Sequence, residues 1–364
     1  MRRGLSCRVE LNLSEHGAPA MTDVLAFNTS SRNGDVVQSQ RKIEEIAIGC
    51  SEFKAKLIFK KIDSTLRGNV KEEIATALRA FKCTAAIIAP AFPVMGRIVR
   101  DGILRWVDCS GDGQIDIRCL LEKQGISLEK IATIRMPTQD FENFSSELNG
   151  HIENGKHFFI VDSESQDDLQ FAVAGGIKLV SSILWVGSAG LGIAVADHIA
   201  KSQPHKSIFA TTDAPVMFVI GSCHLATLQQ KRALLAGTNA VEVAPTPETI
   251  DGVRHAMHDK RHVVVTIEHG NVSESSLRQF CAGLEGIKVS AMFLTGGDTG
   301  TLACNAIGAH SIDLCDEIAP GIPWGILSGG MFHGLPVASK SGSFGDQDAL
   351  LRCAEFFSRR ERSR

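Results

Sequence analysis

Long apolar runs, closely spaced cysteine pairs and an excess of basic charge are all missing from this sequence, and each absence closes off a class of function. No segment approaches the roughly 18 consecutive apolar residues of a membrane span. The opening Met1-Arg2-Arg3 runs into a mixed stretch from Gly4 to Glu15, not into the apolar core of a signal peptide. Neither export nor a membrane partner is expected. The 10 cysteines lie scattered, with no C-x-x-C and no knuckle spacing, which argues against a disulfide framework and a structural zinc site. A reducing cytoplasm is the expected location. A formal net charge of -3 provides no broad field for condensing on nucleic acid or anionic lipid, so any anion must be held by local groups. Internal repeats and low-complexity tracts are absent too, which excludes a solenoid or an array.

What is present is an ordinary globular composition, 44% hydrophobic and 22% charged, in a chain of 364 residues. That length favours two hydrophobic cores over one. Short aliphatic runs alternate with segments of helical period, the pattern of an α/β protein with mainly parallel sheets. Strands are predicted at Asp23–Phe27, Lys56–Lys60, Ala85–Ala89, Phe158–Asp162, Ile183–Val186, Pro215–Ile220, Val263–Ile267 and Val289–Thr295. Val70, Ile74, Ala75 and Leu78 predict a helix after Asn69 with one apolar face. Between Lys201 and Ala214 the periodicity stops, so the division expected is a first domain over 1–205, a linker over 206–213 and a second domain over 214–364. The basic tail Arg359-Arg360-Glu361-Arg362 reads as a solvated helix end.

The densest polar segment, Lys60 to Asn69, follows a strand and precedes an amphipathic helix. Ligands in open α/β folds sit outside the carboxyl ends of strands, where a helix start adds free N–H groups. Lys61, Ser64, Thr65 and Arg67 are candidates to grip a hydroxylated carboxylic acid, with Asp63 as hydrogen-bond acceptor or base. The alternative is that Asp63 and Ser64 only cap the helix and Arg67 pairs on the surface. Ala89 to Arg97, stiffened by Pro90 and Pro93, either completes the same pocket through Arg97 or forms a rigid surface turn. Asn28 to Arg32 again sets hydroxyls and an arginine after a strand.

In the second half, Thr295-Gly296-Gly297-Asp298-Thr299-Gly300 ends a strand and opens a helix, a geometry that lets backbone N–H groups approach phosphate. It matches neither G-x-x-x-x-G-K-[ST] nor G-x-G-x-x-G, and a tight turn with Asp298 as helix cap is its plainer reading. Gly221-Ser222-Cys223-His224 repeats the design, and Lys340 to Asp346 adds a flexible loop whose lysine is suited to neutralising phosphate charge. His255, His258 and His262 fall near helical spacing but lack a carboxylate or cysteine partner, so no metal site is expected there. Gly187-Ser188-Ala189-Gly190 lacks the order of a nucleophile elbow. No strand is followed by the dinucleotide fingerprint, which disfavours a nicotinamide enzyme.

Seven segments in order, KKIDSTLRGNV, APAFPVMGRIVRDG, VGSAGL, GSCHLATLQQ, LTGGDTGTLACNAIG, EIAPGIPWG and KSGSFGD, resemble the signature set of the four-carbon acid sugar kinases over roughly residues 20 to 350. The resemblance implies an N-terminal domain that binds the sugar acid and a C-terminal domain that binds ATP with Mg²⁺. The product would be the 4-phosphate of threonate, erythronate or a 3-oxo-tetronate. Carried over by motif, Arg32, Asp63, Ser64, Thr65, Arg67 and Gly68 face the acid. Ser222, Gly296, Gly297, Asp298, Thr299, Gly342 and Gly345 surround the nucleotide, and Asp63 and Lys340 are the candidate catalytic groups. The expected partners are the sugar acid and ATP, with a homodimer left open. Members of the family open with a strand ending in Asp-Asp-(Phe/Leu)-Thr-Gly-Ala, and the expectation is that this strand and its acids are lacking here. The alternative to an active kinase is thus an N-terminally truncated, catalytically impaired binding or regulatory protein of the same family.

Overall fold

A computed structural model describes residues 3–11, 22–31, 34–53, 55–108, 111–123, 125–135, 141–179, 181–201, 214–268 and 272–358. Arg32, the expected 206–213 linker and the tail Arg359 to Arg362 lie outside these residues. The chain forms two compact units, one of Thr29–Ala200 and one that joins Met1–Asn28 to Lys201–Arg364. The packing units thus differ from the division read in the sequence by assigning the first 28 residues to the larger unit.

The smaller unit is built on a five-stranded, all-parallel sheet in the order Ile58–Lys61, Ile183–Gly187, Ala85–Ala89, Phe158–Val161, Ile131–Ile134. Helices cover both faces of such a sheet, so its strands read as unbroken apolar runs. Every residue of Ala85–Ala89 and Phe158–Val161 is buried, with Ile87, Ile88 and Phe159 among the largest enclosed side chains. The helix expected after Asn69 spans Val70–Ala80 and buries Val70, Ile74 and Ala77 along one stripe. The same stripe buries Glu73, which is compensated by Lys60 Nζ at 2.5 Å on the neighbouring strand. A separate antiparallel sheet, Arg97–Arg100, Ile103–Asp108 and Gly111–Asp116, extends the turn that follows Ala85–Ala89.

Among the described residues the larger unit carries one nine-stranded sheet. Five of its strands are parallel, in the order Val241–Val243, Val263–Thr266, Val216–Ile220, Ala291–Thr295, Pro336–Lys340. Ile322–Ser328 and Ser311–Ala319 continue the sheet antiparallel, followed by Cys7–Glu10 and Val24–Phe27, which pair parallel with each other. Alternation splits its core in two: Met217, Val219 and Met292 face one cluster, while Val216, Phe218 and Phe293 face the other. Cys7–Glu10 precedes Val24–Phe27 and was not among the strands read from the sequence. Among the described residues no helix is long and apolar enough to cross a membrane.

Close backbone approach fixes the carboxyl end of Ile183–Gly187. A Cβ on Gly187 would lie 2.6 Å from Leu191 Cβ and 2.7 Å from the Ala89 carbonyl oxygen. Gly252, inside the helix Ile250–His258, has nothing within 4 Å of the same position. Gly187→Ala should therefore cost about 2 kcal/mol or more through overpacking, whereas Gly252→Ala should stabilise by about 0.5–1 kcal/mol. Urea unfolding of the two variants checks the opposite signs.

Candidate functional site

In the smaller unit, three chain segments leave the sheet side by side at its carboxyl edge. Ile62 N–H donates to the Gly187 carbonyl at 2.9 Å, and Ser188 Oγ donates to the Ala91 carbonyl at 2.9 Å. Ser188 is buried and caps the helix Ala189–His198, a structural post. These bonds set the Lys61 to Gly68 loop and the Ala91 to Arg97 turn on either side of the Gly187 turn.

Asp63 organises its own loop. Its Oδ1 accepts from Thr65 N–H at 2.9 Å, Thr65 Oγ1 at 2.6 Å and Arg67 Nε at 3.2 Å, and its Oδ2 accepts from Arg67 Nη2 at 3.1 Å. Partial burial pushes the Asp63 carboxyl up, but the Arg67 guanidinium and the Thr65 donors together hold it well below the usual carboxylate range. Such a group is a weak base. Of the alternative, the helix cap fails for a geometric reason, since the N-cap position belongs to Asn69, whereas the exposed Arg67 does pair at the surface, with Asp63. Asn69 makes no cap bond, and its Nδ2 instead donates to the Ser31 carbonyl (3.4 Å), the Gly34 carbonyl (2.9 Å) and Ser39 Oγ (3.2 Å). It ties the Thr29 to Ser31 segment to the start of the helix Val70–Ala80, a tethering role not read from the sequence. Arg67 and Gly68 are exposed, as is Lys61, whose Nζ donates to the Ile62 carbonyl; Ser64 and Thr65 are half-buried. Arg97 is half-buried, with Nη1 directed to the Met95 carbonyl at 3.4 Å. Some backbone strain is held here, since Ser30 and Leu66 take left-handed φ angles of 46° and 57°, costly without a glycine.

In the larger unit, Val216–Ile220, Ala291–Thr295 and Pro336–Lys340 lie adjacent and parallel, so the loops that leave them meet. The fit is tight enough to demand glycine. A Cβ on Gly221 would sit 2.2 Å from Thr299 Oγ1, and one on Gly342 would sit 2.1 Å from Ser222 Oγ. Gly296 takes φ 99° at the N-cap of the helix Gly297–Ala306. The cap is thus Gly296 and not Asp298, which stands exposed in the first turn beside the exposed Gly297, while Thr299 is buried. His224 caps the helix Leu225–Gly237, accepting from Ala226 N–H at 3.2 Å, and Ser222 Oγ accepts from His224 N–H at 3.3 Å.

Lys340 is only 4% exposed. Its Nζ donates to Thr227 Oγ1 at 3.1 Å and to the carbonyls of Ser341 and Gly342 at 3.0 and 3.2 Å, and among the described residues it has no carboxylate partner. Burial pushes its ammonium pKa down to about 8. Beside it in register, Thr295 is fully buried and its Oγ1 has no hydrogen-bond partner among the described residues. Of the histidines singled out by spacing, His262 is structural, its Nδ1 accepting from Val216 N–H at 3.0 Å. Among the described residues no group of three or more His, Cys, Asp or Glu is placed to hold a metal.

Comparison with known proteins also gives two domains, although it keeps residues 1–28 with the first, where the packing places them in the larger unit. Residues 1–195 fit the family model of a sugar-binding N-terminal domain, and residues 217–350 that of a nucleotide-binding C-terminal domain. D-threonate kinase of Bordetella bronchiseptica is 30% identical, over 93% of this chain and 87% of the relative. D-threonate kinase of Salmonella typhimurium is 27% identical (94% and 91%), and D-erythronate kinase of Heliobacterium modesticaldum 26% identical (92% and 87%). The solved structure of a Haemophilus influenzae protein of the DUF1537 family shares the fold, with a TM-score of 0.76 at 18% identity over 98% of this chain and 95% of that one. The chain accordingly belongs to the four-carbon acid sugar kinase family and is an enzyme of the phosphotransferase type.

Proposed function

We propose that the protein transfers the γ-phosphoryl group of ATP to the terminal hydroxyl of a four-carbon sugar acid, a threonate, an erythronate or a 3-oxo-tetronate. The observation that carries this reading is the meeting of glycine turns at Gly221, Gly296 and Gly342 above a buried cation that lacks a carboxylate partner among the described residues. Backbone amides and a fixed positive charge are what a triphosphate requires, and phosphoryl transfer is catalysed mainly by positioning and electrostatics. The hydroxyl oxygen forms its bond to the γ-phosphorus as the bond to the departing ADP oxygen breaks.

In the smaller unit, Arg67, Lys61 and Arg97 are the cations proposed to meet the acid's carboxylate, and Ser64, Thr65 and the Gly68 backbone its hydroxyls. Asp63 acts by aiming Arg67 and Thr65. Its lowered pKa suits that task better than proton abstraction, and a loose transition state needs little from a base. Mg²⁺ binds nucleotide sites through phosphate oxygens, water and one or two carboxylates, and the exposed Asp298 fits as that carboxylate. When bound, the ion offsets phosphate charge. A second reading, a binding protein that has lost turnover, is favoured only by the weak basicity of Asp63.

A coupled ADP-release assay against the three acids should show turnover with at least one. Nucleotide binding without phosphorylation of any would select the second reading. Asp63→Asn should lower kcat/KM for the acid about 10- to 100-fold, mostly through KM, as the loss of a charged hydrogen-bond pair implies. The folded pKa of Asp63 lies below its unfolded value, so the carboxylate stabilises the fold above roughly pH 4, and the wild-type advantage over Asp63→Asn in thermal melts should fade as the pH falls below that. In Lys340 the fold disfavours the charged form instead. Because its folded pKa is about 8 against an ordinary 10.5, it is charged below pH 8 and the folded state releases the proton first. ATP affinity should therefore fall by up to about tenfold per pH unit above that point. Between the same limits the stability of the free protein relative to Lys340→Met should rise. Calorimetric titration from pH 7 to 10 checks the first effect, and Lys340→Met should bind weakly with a flat profile.

A further inference from the structure

The loop after Pro336–Lys340 is held almost entirely through its carbonyls, by three side chains that the solvent does not reach. Gln230 Nε2 donates to the carbonyls of Phe344 (3.0 Å), Gly345 (3.0 Å) and Asp346 (2.8 Å). Thr227 Oγ1 donates to the Gly342 carbonyl at 2.7 Å, and Lys340 Nζ reaches the carbonyls of Ser341 and Gly342. Thr227 and Gln230 are 0% exposed and lie one turn apart on the helix Leu225–Gly237, whereas Ser341 and Ser343 to Asp346 are exposed. The orientation of the Gln230 amide is fixed by this network. Turned over, its oxygen would face three carbonyl oxygens. Its own Oε1 is buried with no partner among the described residues, a cost accepted to keep the nitrogen inward.

A planar trans peptide points the N–H of one residue opposite the C=O of the residue before it. With the carbonyls of residues 341, 342, 344, 345 and 346 drawn toward the helix, the N–H groups of Gly342, Ser343, Gly345, Asp346 and Gln347 are turned the other way. Those five amides donate to no acceptor among the described residues. We infer that Gln230 and Thr227, with Lys340, form a clamp that turns the 342–347 amides outward as a cradle for the phosphate chain of a nucleotide. Gln230 and Thr227 are positioning residues, since they touch the loop and not the ligand. The inference rests on the kinase reading above and adds the residues that preorganise its phosphate site.

The test is titration of the full-length chain, as wild type, Gln230→Leu and Thr227→Val, with ADP, sodium tripolyphosphate and adenosine. Near-ultraviolet circular dichroism and thermal melts establish that each variant is folded. Gln230→Leu should bind ADP and tripolyphosphate about tenfold more weakly, the weight of roughly one hydrogen bond, and adenosine unchanged. In turnover, KM for ATP should rise while kcat and KM for the acid stay near wild type. Thr227→Val, isosteric and lacking only the hydroxyl, should shift the same parameters in the same direction and carries the test if Gln230→Leu does not fold. Unchanged tripolyphosphate affinity in folded variants, or an equal loss for adenosine, would overturn the clamp. Wild type binding neither ADP nor ATP would instead overturn the kinase reading itself.

Discussion

Parallel pairing of adjacent strands is the constraint on which both halves of the molecule depend. Strands that run the same way discharge their loops at the same edge, so segments far apart in sequence arrive together without any direct attraction between them. In the larger unit this brings the turns after Ile220, Thr295 and Lys340 within atomic contact. In the smaller unit it does the same for the turns after Lys61, Gly187 and Ala89. The side chains at these edges refine an arrangement that the sheets have already imposed.

Burial on both faces made most of the parallel strands legible, although Ile131–Ile134, Val241–Val243 and Pro336–Lys340 were not read. Ala85–Ala89 was read with its observed bounds, and the other parallel strands of the predicted set were placed within about two residues, the usual uncertainty of element ends. The antiparallel strands were not legible. Ser311–Ala319 carries Asp313, Asp316 and Glu317, so it looks like a polar connection until Arg8 is seen to pair with Asp313 across 305 positions. Cys7–Glu10 is equally unannounced, being short and half polar, and it exists as a strand because Ser311–Ala319 offers it an edge.

The site shows the same division between local and distant information. That the Lys60 to Asn69 segment holds concentrated polar function followed from its place after a strand. That Asp63 spends its oxygens on Thr65 and Arg67 did not, because the pairing depends on the left-handed turn at Leu66, which a leucine does not advertise. Lys340 was legible as a cation in a glycine-rich loop, but its inward direction depends on Thr227, 113 positions earlier. Gln230 left no signal at all. A polar residue in a helix is assigned to solvent by default, and only the sealed carbonyl side of a loop more than 100 positions away gives it another purpose.

The 305-residue span bridged by Arg8 and Asp313 also sets an order of assembly. Synthesis makes Cys7–Glu10 and Val24–Phe27 before the whole Thr29–Ala200 unit, yet the edge they join, Ser311–Ala319, comes after it. Everything the Thr29–Ala200 unit needs for its five-stranded sheet is available well before then. In order of synthesis, then, the nine-stranded sheet closes after the five-stranded one, once Ser311–Ala319 is available to pair with Cys7–Glu10.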